Sequence, residues 1–221
     1  VFPNVPRGMG LGGSAAMAVA VIRAIDQHFK LGHSDEEINA LAFECEKVAH
    51  GTPSGIDNMV ATYGQPLLYR RAHEGKPLKM EPLKLSKPIP LVVGISGKES
   101  LTAKTVGGVR SAWLKNPELY ENIFRQIDAL TLQGVEAVQN YQLERLGDLM
   151  NVCHGLLNAL RVSSWESEEM VQICREQGAI GAKLTGGGGG GSIIALAPEH
   201  PERVIGALRD AGYSGMEVRI G

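Results

Sequence analysis

The interpretation of this sequence begins with the stretch Pro6-Arg7-Gly8-Met9-Gly10-Leu11-Gly12-Gly13-Ser14-Ala15-Ala16. Four glycines fall within six residues, and good helix formers follow Ser14 as far as Ile25. A glycine-rich loop that opens onto a helix N-terminus gathers backbone N–H groups around one concavity, and the helix dipole adds positive potential. Glycine lets the backbone approach an anion closely and adopt positive φ. The stretch therefore predicts a phosphate-binding loop, and a glycine-rich turn that only starts a helix is the alternative. We expect Ser14 to cap the helix and also to offer its hydroxyl to phosphate or Mg²⁺.

Two widespread phosphate loops do not match this stretch. A Walker A loop ends in Gly-Lys-Ser/Thr, whereas Gly13 precedes the serine here. Gly8, Gly10 and Gly13 have the spacing of the dinucleotide fingerprint, which requires an acidic residue about 20 positions further on. Asp26 comes too early and lies inside the helical run. The pattern thus indicates a phosphate loop of a third kind.

Composition limits the classes of partner. The chain has 221 residues, enough for one large or two small domains, and a net charge of -2. It has no basic stripe or polybasic cluster, so we expect neither nucleic acid nor a membrane as a partner. The longest apolar strand-like run, near Ile89–Ile95, is too short to span a bilayer, and no leader pattern opens the chain. Cys45, Cys153 and Cys174 lack metal-ligand spacing, which favours free thiols in the cytoplasm.

The glycine stretch resembles the ATP-binding motif of the GHMP small-molecule kinases, named for galacto-, homoserine, mevalonate and phosphomevalonate kinases. Gly13 stands where the family usually has a first serine, and Ser14 matches the serine that binds metal. The resemblance implies that Ser14 is a ligand of Mg²⁺. It also implies an ATP-binding set of Gly10, Leu11, Gly12, Gly13, Ser14 and Ala15.

A second segment, Gly51–Asn58, is predicted to be a loop that follows a helix capped at Ser34. By itself Asp57 in such a loop is most simply a cap, and Glu46 in the helix is most simply solvated. Beside a phosphate loop, however, an aspartate can accept the proton of an alcohol and align that alcohol with the γ-phosphate. The run from Glu46 to Asn58 resembles the mevalonate kinase signature. That resemblance implies that Glu46 binds Mg²⁺ and that Asp57 is the catalytic acid/base.

A third segment contains six consecutive glycines, Gly186–Gly191. A flexible linker is one interpretation, but apolar strand-like residues flank the glycines on both sides, which favours a hairpin loop in close backbone contact with something. Lys183–Ser192 resembles the third GHMP motif, with Gly187 and Ser192 in place of alanine and cysteine. The resemblance implies that Gly187, Gly188 and Gly189 line the substrate phosphate site. The run Ser100–Arg110 resembles a mevalonate kinase segment in which the threonine matching Thr102 touches substrate.

Hydrophobic periodicity and turn residues predict the remaining elements. We expect antiparallel pairing where the connections are short, and a core or surface position for His154 rather than a ligand role. The predicted strands are 60–63, 66–69, 78–85, 91–95 and 216–220, with a strand end at Val1–Val5, and the predicted helices start at 100 and 116 and span 143–160, 164–176 and 201–211.

These features predict an α+β protein with the GHMP two-domain fold. Residues 1–96 would be a partial N-terminal α/β domain and residues 97–221 a ferredoxin-like C-terminal domain with extra helices, with the active site in the cleft between them. We expect the family's N-terminal part, with its lysine-bearing motif, to be absent, so that this chain alone could be inactive. The predicted activity is ATP- and Mg²⁺-dependent phosphorylation of a small alcohol, with mevalonate in isoprenoid precursor synthesis as the first candidate. The alternatives are phosphomevalonate, a sugar or homoserine as acceptor, a non-catalytic nucleotide-binding module, and an interaction protein. A homodimer is the expected assembly.

Overall fold

The computed structural model describes residues 9–50, 53–70, 79–99 and 102–221. The strand end predicted at Val1–Val5 lies outside these residues, as do Gly51 and Thr52 of the predicted loop. Among the described residues, no helix combines the length and the apolar content needed to cross a bilayer.

The described chain packs as two compact units. Residues 11–84 form the first unit, and residues 9–10 pack with residues 85–221 in the second. This division differs from the predicted boundary at residue 96, because strand Ile89–Ile95 pairs within the sheet of the second unit. The boundary between the family's two domains stays a prediction.

The first unit is mainly helical, and both predicted helices are confirmed. Ser34 Oγ accepts the N–H of Glu37 at 3.3 Å while Glu37 Oε2 accepts the N–H of Ser34 at 2.8 Å, which is a capping box at the start of α2. The helices pack through Val19, Ile38 and Ala42. The elements are α1 (Gly13–Phe29), α2 (Asp35–His50), α3 (Ile56–Tyr63), β1 (Leu67–Arg70) and β2 (Lys79–Pro82).

Helix α3 replaces two predicted elements. The sequence predicted a loop up to Asn58 and a strand over 60–63, and both predictions are wrong at these residues. Gly55 and Gly64 have φ of 83° and 64° and cap the two ends of one eight-residue helix. Left-handed glycines end helices as readily as they form turns, so the sequence signal fitted either structure. Packing of α3 against α1 and α2 favours the helix over the strand propensity of its residues.

The antiparallel pairing predicted for the early strands holds for β1 and β2, with Leu67 opposite Pro82. The next strand does not join them. It pairs instead with two strands that follow it much later in the chain.

The second unit contains a four-stranded antiparallel sheet in the order β4-β5-β3-β6. Four helices connect β3 to β4 and one helix connects β5 to β6, which is the ferredoxin-like βαββαβ arrangement with added helices. The predicted fold class is thereby confirmed. The elements are β3 (Ile89–Ile95), α4 (Thr102–Lys115), α5 (Pro117–Gln139), α6 (Leu143–Ala159), α7 (Trp165–Glu176), β4 (Gly181–Leu184), β5 (Ser192–Leu196), α8 (Pro201–Asp210) and β6 (Ser214–Ile220).

Helix α6 and strand β4 touch through glycine. A Cβ on Gly181 would lie 2.3 Å from the carbonyl oxygen of Gly147, closer than nonbonded atoms can approach. Beside this crossing, Asn151 Oδ1 accepts hydrogen bonds from Arg175 Nε at 2.8 Å and from the N–H of Ala182 at 3.1 Å. These contacts join α6, α7 and β4 immediately before the chain enters the six-glycine loop.

Candidate active site

The glycine stretch has the backbone conformation that the sequence predicted. Gly10 and Gly12 have φ of 72° and 65°, in the left-handed region that residues with a Cβ seldom adopt. Gly12 is the N-cap of α1, and no acidic residue lies in the first turn of this helix. No acidic side chain of α1 itself offsets the positive potential of this helix start, which favours a phosphate; the carboxyl group of Asp57, from α3, lies beside it.

Ser14 does not cap the helix, contrary to one of the two predicted roles. Helix α1 begins at Gly13, so Ser14 is its second residue, and Gly12 occupies the cap position without a side-chain hydrogen bond. Because Gly12, with its left-handed backbone, is the N-cap, the helix begins at Gly13, before the helix-forming residues that follow Ser14. Ser14 is half-buried in the first turn of α1.

Asp57 lies against the glycine stretch within the first unit. A Cβ placed on Gly12 would be 3.4 Å from Asp57 Cγ and 3.6 Å from Oδ1, so the carboxyl group occupies the space beside the left-handed N-cap. Asp57 itself is exposed and belongs to the first turn of α3. The structure therefore brings two separately predicted residues, 45 positions apart, close together.

Polar contacts that the sequence did not reveal hold α3 in this position. Buried Asn58 donates from Nδ2 to Oδ1 of Asn39 in α2 at 2.7 Å, and Thr62 Oγ1 donates to the carbonyl of Asn58 at 2.7 Å. Arg23 in α1 donates to the carbonyl of Thr62 and to Asp35 Oδ1, each at 2.8 Å. The Asn58–Asn39 and Arg23–Thr62 bonds connect residues 19 and 39 positions apart, and no local motif signals them.

Glu46 is buried in α2, with 5% of its surface exposed. Its neighbour Glu44 is exposed and pairs with Lys47 at 2.6 Å. Because a buried carboxylate is costly unless donors or cations compensate it, the burial distinguishes Glu46 from the ordinary solvated residue of a surface helix. Among the described residues, no three His, Cys, Asp or Glu side chains are grouped as a metal site.

The six-glycine segment is a fixed hairpin loop between β4 and β5. Gly189 donates to the carbonyl of Val162 at 2.8 Å, and Gly191 donates to the carbonyl of Lys98 at 3.0 Å. A Cβ on Gly188 would lie only 2.2 Å from the carbonyl oxygen of Val162, so glycine is required there. These contacts confirm the prediction of a loop in close backbone contact and exclude a flexible linker.

The same loop touches the start of the glycine stretch within the second unit. A Cβ on Gly186 would lie 3.1 Å from the carbonyl oxygen of Gly10. Buried Ser192 donates from Oγ to the carbonyl of Met9 at 2.9 Å. Residues of the first and third predicted motifs are therefore in contact here.

Two other predicted site residues lie in this loop and at the start of α4. Gly187 is half-buried, and Thr102 is the first residue of α4, with a side chain outside the described part of the structure.

His154 supports the strand that leads into this loop. It is buried, as predicted, and its Nδ1 accepts the N–H of Leu184 at 3.3 Å, while its Nε2 lies 3.1 Å from Glu168 Oε1. Burial lowers the pKa of His154 below its ordinary value of 6.5, with Arg175 and Lys183 acting in the same direction and Glu168 opposing them. The ring is therefore neutral at pH 7 and oriented by the backbone of β4.

This lowered pKa predicts a loss of stability in acid. The unfolded chain binds a proton at His154 near pH 6.5, whereas the folded chain does so only at lower pH, so unfolding gains protons in that window. The free energy of unfolding should fall as the pH drops from 7 through 6. H154N keeps an acceptor near Nδ1 and should reduce this dependence, whereas H200N, at an exposed histidine, should not. Urea unfolding at a series of pH values measures the pH dependence of the free energy of unfolding. Equal pH dependence in both variants would contradict the prediction.

Comparison with known proteins shows the family of this chain. The family model for the GHMP kinases N terminal domain matches residues 1–65, and the model for the GHMP kinases C terminal matches residues 135–214. The chain belongs to the GHMP kinase family.

Individual relatives are named mevalonate kinase. The chain is 40% identical over 225 residues to the one from Pyrococcus horikoshii, covering 100% of this chain and 65% of that protein. The L. major mevalonate kinase in complex with R-mevalonate matches with a TM-score of 0.85 at 38% identity, over 90% of this chain and 61% of that one. The mevalonate kinase from methicillin-resistant Staphylococcus aureus matches with a TM-score of 0.74 at 32% identity, over 99% of this chain and 69% of that one. The chain thus spans about two thirds of the length of the curated relatives it matches.

Proposed function

We propose that this protein transfers the γ-phosphoryl group of ATP to the hydroxyl of a small alcohol, and that the alcohol is mevalonate. The observation that carries the proposal is the position of the Asp57 carboxyl group beside Gly12 at the start of α1. It brings a carboxylate beside a backbone loop suited to phosphate. The similarity to mevalonate kinases, one of them in complex with R-mevalonate, supports the choice of acceptor.

The loop and the carboxylate have complementary roles in the proposed reaction. Backbone N–H groups from Gly10 to Ala15 hold the phosphates, with the dipole of α1 favouring their negative charge. Asp57 accepts the proton of the acceptor hydroxyl and orients its oxygen in line with the γ-phosphorus. Positioning and charge stabilisation supply most of the acceleration in such transfers.

Ser14 and Glu46 are the residues we assign to Mg²⁺. A hydroxyl and a carboxylate are oxygen ligands of the kind Mg²⁺ prefers, and one or two protein ligands suffice when phosphate oxygens complete the shell. The ion, when bound, neutralises developing charge on the β- and γ-phosphate oxygens. The burial of Glu46 supports a role other than that of a solvated surface acid.

Thr102 and the backbone of Gly187, Gly188 and Gly189 are assigned to the acceptor and to the transferred phosphoryl group. The loop around these glycines is held by backbone hydrogen bonds at Gly189 and Gly191, which supports a positioning role.

Three free cysteines, Cys45, Cys153 and Cys174, support a cytoplasmic location. The expected homodimer stays a prediction.

A coupled assay of ADP release tests the proposed function. The protein is supplied with Mg-ATP and, in separate reactions, mevalonate, phosphomevalonate, galactose or homoserine. We expect the highest kcat/KM with mevalonate. A higher kcat/KM with another of these acceptors would support the kinase activity but contradict mevalonate as the substrate. Binding of Mg-ATP without ADP release for any acceptor would indicate a nucleotide-binding module.

Replacing Glu46 with glutamine should raise the Mg²⁺ concentration needed for half-maximal activity. Because the amide keeps the size of the side chain and loses its charge, we expect a weakening of about tenfold or more. The measurement is the rate of ADP release during a Mg²⁺ titration at fixed ATP. E44Q, at an exposed acid of the same helix, is the control. Identical Mg²⁺ curves for E46Q and E44Q would remove Glu46 from the metal site.

A further inference from the structure

Strand β4 lies at one edge of the four-stranded sheet, with β5 as its neighbour on one side. An edge strand normally presents unpaired backbone N–H and C=O groups on its outer side. In β4, side chains bond these groups. Asn151 Oδ1 accepts the N–H of Ala182 at 3.1 Å, and Arg175 donates to the carbonyl of Ala182 at 3.1 Å. Side chains of α6 and α7 thus take the place of a further strand beside Ala182.

The same arrangement recurs two residues later, at Leu184. Its N–H donates to Nδ1 of His154 at 3.3 Å, and its carbonyl accepts from Nζ of Lys183 at 2.7 Å. Leu184 is the last residue of β4, and Thr185 and the six-glycine loop follow directly. The imidazole of His154 therefore bonds the backbone at the point where the strand becomes the loop.

The two halves of the six-glycine loop are held in different ways. The N–H groups of Gly189 and Gly191 donate to carbonyls of neighbouring segments, which fixes the second half of the loop. The first half begins at Gly186, and its path depends on where β4 ends. The bond between Leu184 and His154 determines that end.

Glu168 of α7 orients the ring of His154. Its Oε1 lies 3.1 Å from Nε2 of the ring, and both atoms are buried. Because Nδ1 accepts from a backbone N–H, the ring proton belongs on Nε2, where it faces the carboxylate. Burial lowers the pKa of His154, which favours the neutral ring that leaves Nδ1 able to accept.

We propose that His154, oriented by Glu168, is a positioning residue for the six-glycine loop. It acts through the backbone of Leu184 and not through contact with a substrate. By fixing the end of β4, it sets where the first glycines of the loop present their backbone. The kinetic consequence of this role rests on the proposed function, whereas the placement of the loop is measurable without turnover.

Two neutral variants distinguish the two nitrogens of the ring. The amide oxygen of H154N can replace Nδ1 as the acceptor for Leu184, whereas H154Q places its amide near Nε2 and leaves that N–H without an acceptor. Hydrogen exchange of the Gly189 and Gly191 amides should be about tenfold faster in H154Q than in the parent protein and unchanged in H154N. The amides of the central strand β3 report global opening, and we expect them to change less than the loop amides.

The kinetic measurement compares kcat with the Kd for Mg-ATP. We expect kcat to fall by about tenfold or more in H154Q, because a displaced loop misplaces the reacting groups, and to stay near the parent value in H154N. The Kd for Mg-ATP should be alike in all three proteins, since the phosphates are assigned to the start of α1. If the parent protein turns over none of the acceptors, the proposed function fails, and hydrogen exchange still decides the positioning role.

Three results would overturn the proposal. One is equal exchange of the loop amides, or equal kcat, in H154N and H154Q. Another is loop exchange in H154Q that rises only by the factor seen in β3, because His154 would then contribute to stability alone. The third is a nitrogen NMR spectrum of the parent protein at neutral pH with the ring proton on Nδ1, or with both nitrogens protonated. That spectrum needs no variant, so it decides the matter even where H154Q does not fold.

Discussion

Replacing Asp57 with asparagine is expected to lower kcat for phosphoryl transfer by about 10³-fold, the usual contribution of a positioned acid or base. The amide has nearly the same shape, so the side chain should keep its position beside Gly12 while the proton acceptor is lost. Because the phosphates are assigned to backbone N–H groups, the Kd for Mg-ATP should change little. Steady-state kinetics with mevalonate and calorimetric binding of Mg-ATP separate these two effects.

A control is needed because Asp57 also lies in the first turn of a helix, where an acid stabilises the dipole. Glu118 has the same position in α5, so E118Q removes a comparable charge away from Asp57. We expect normal kcat in E118Q. If D57N retains kcat within about tenfold of the parent protein, Asp57 is not the acid/base assumed in this mechanism.

Replacing Gly181 with alanine is expected to destabilise the protein by about 3 kcal/mol, near the upper end of the usual cost of overpacking. The new Cβ would lie 2.3 Å from the carbonyl oxygen of Gly147 and 2.5 Å from its Cα, and both are backbone atoms that cannot rotate away. Helix α6 would have to move away from β4, which would also disturb the hydrogen bonds of Asn151. Thermal unfolding should show a Tm lower by roughly 10 °C.

The opposite result is expected for alanine at Gly155, further along α6. A Cβ there meets nothing within 4 Å, so the substitution should stabilise the helix by about 0.5–1 kcal/mol. Chemical denaturation measures the free energy of unfolding of both variants, which should be lower than that of the parent for G181A and higher for G155A. A stability of G181A within about 1 kcal/mol of the parent would mean that α6 and β4 are not in backbone contact.

The motifs could be found in the sequence because their chemistry is local. Left-handed glycines before a helix, six glycines between apolar strands, and the capping box at Ser34 each depend on a few neighbouring residues. Those predictions agree with the φ values of Gly10 and Gly12 and with the bonds around Gly189.

What the sequence could not supply is the set of contacts between distant residues. The bond between Asn39 and Asn58 follows no helix or strand period, and neither does the Arg23 bond to the end of α3. The α6–β4 crossing depends on two glycines, Gly147 and Gly181, that give no signal individually. Asp57 was predicted in a loop because Pro53 and Gly55 are turn signals, whereas Gly55 is in fact the left-handed N-cap of α3.

The most direct test of the central claim is a phosphorus NMR spectrum of the protein with Mg-ATP and mevalonate. If the first turn of α1 holds the triphosphate while Asp57 activates the acceptor, the γ-phosphate signal should decline as a phosphomonoester signal of equal intensity appears. Conversion of the γ-phosphate to inorganic phosphate alone, at the same rate with and without mevalonate, would contradict the account.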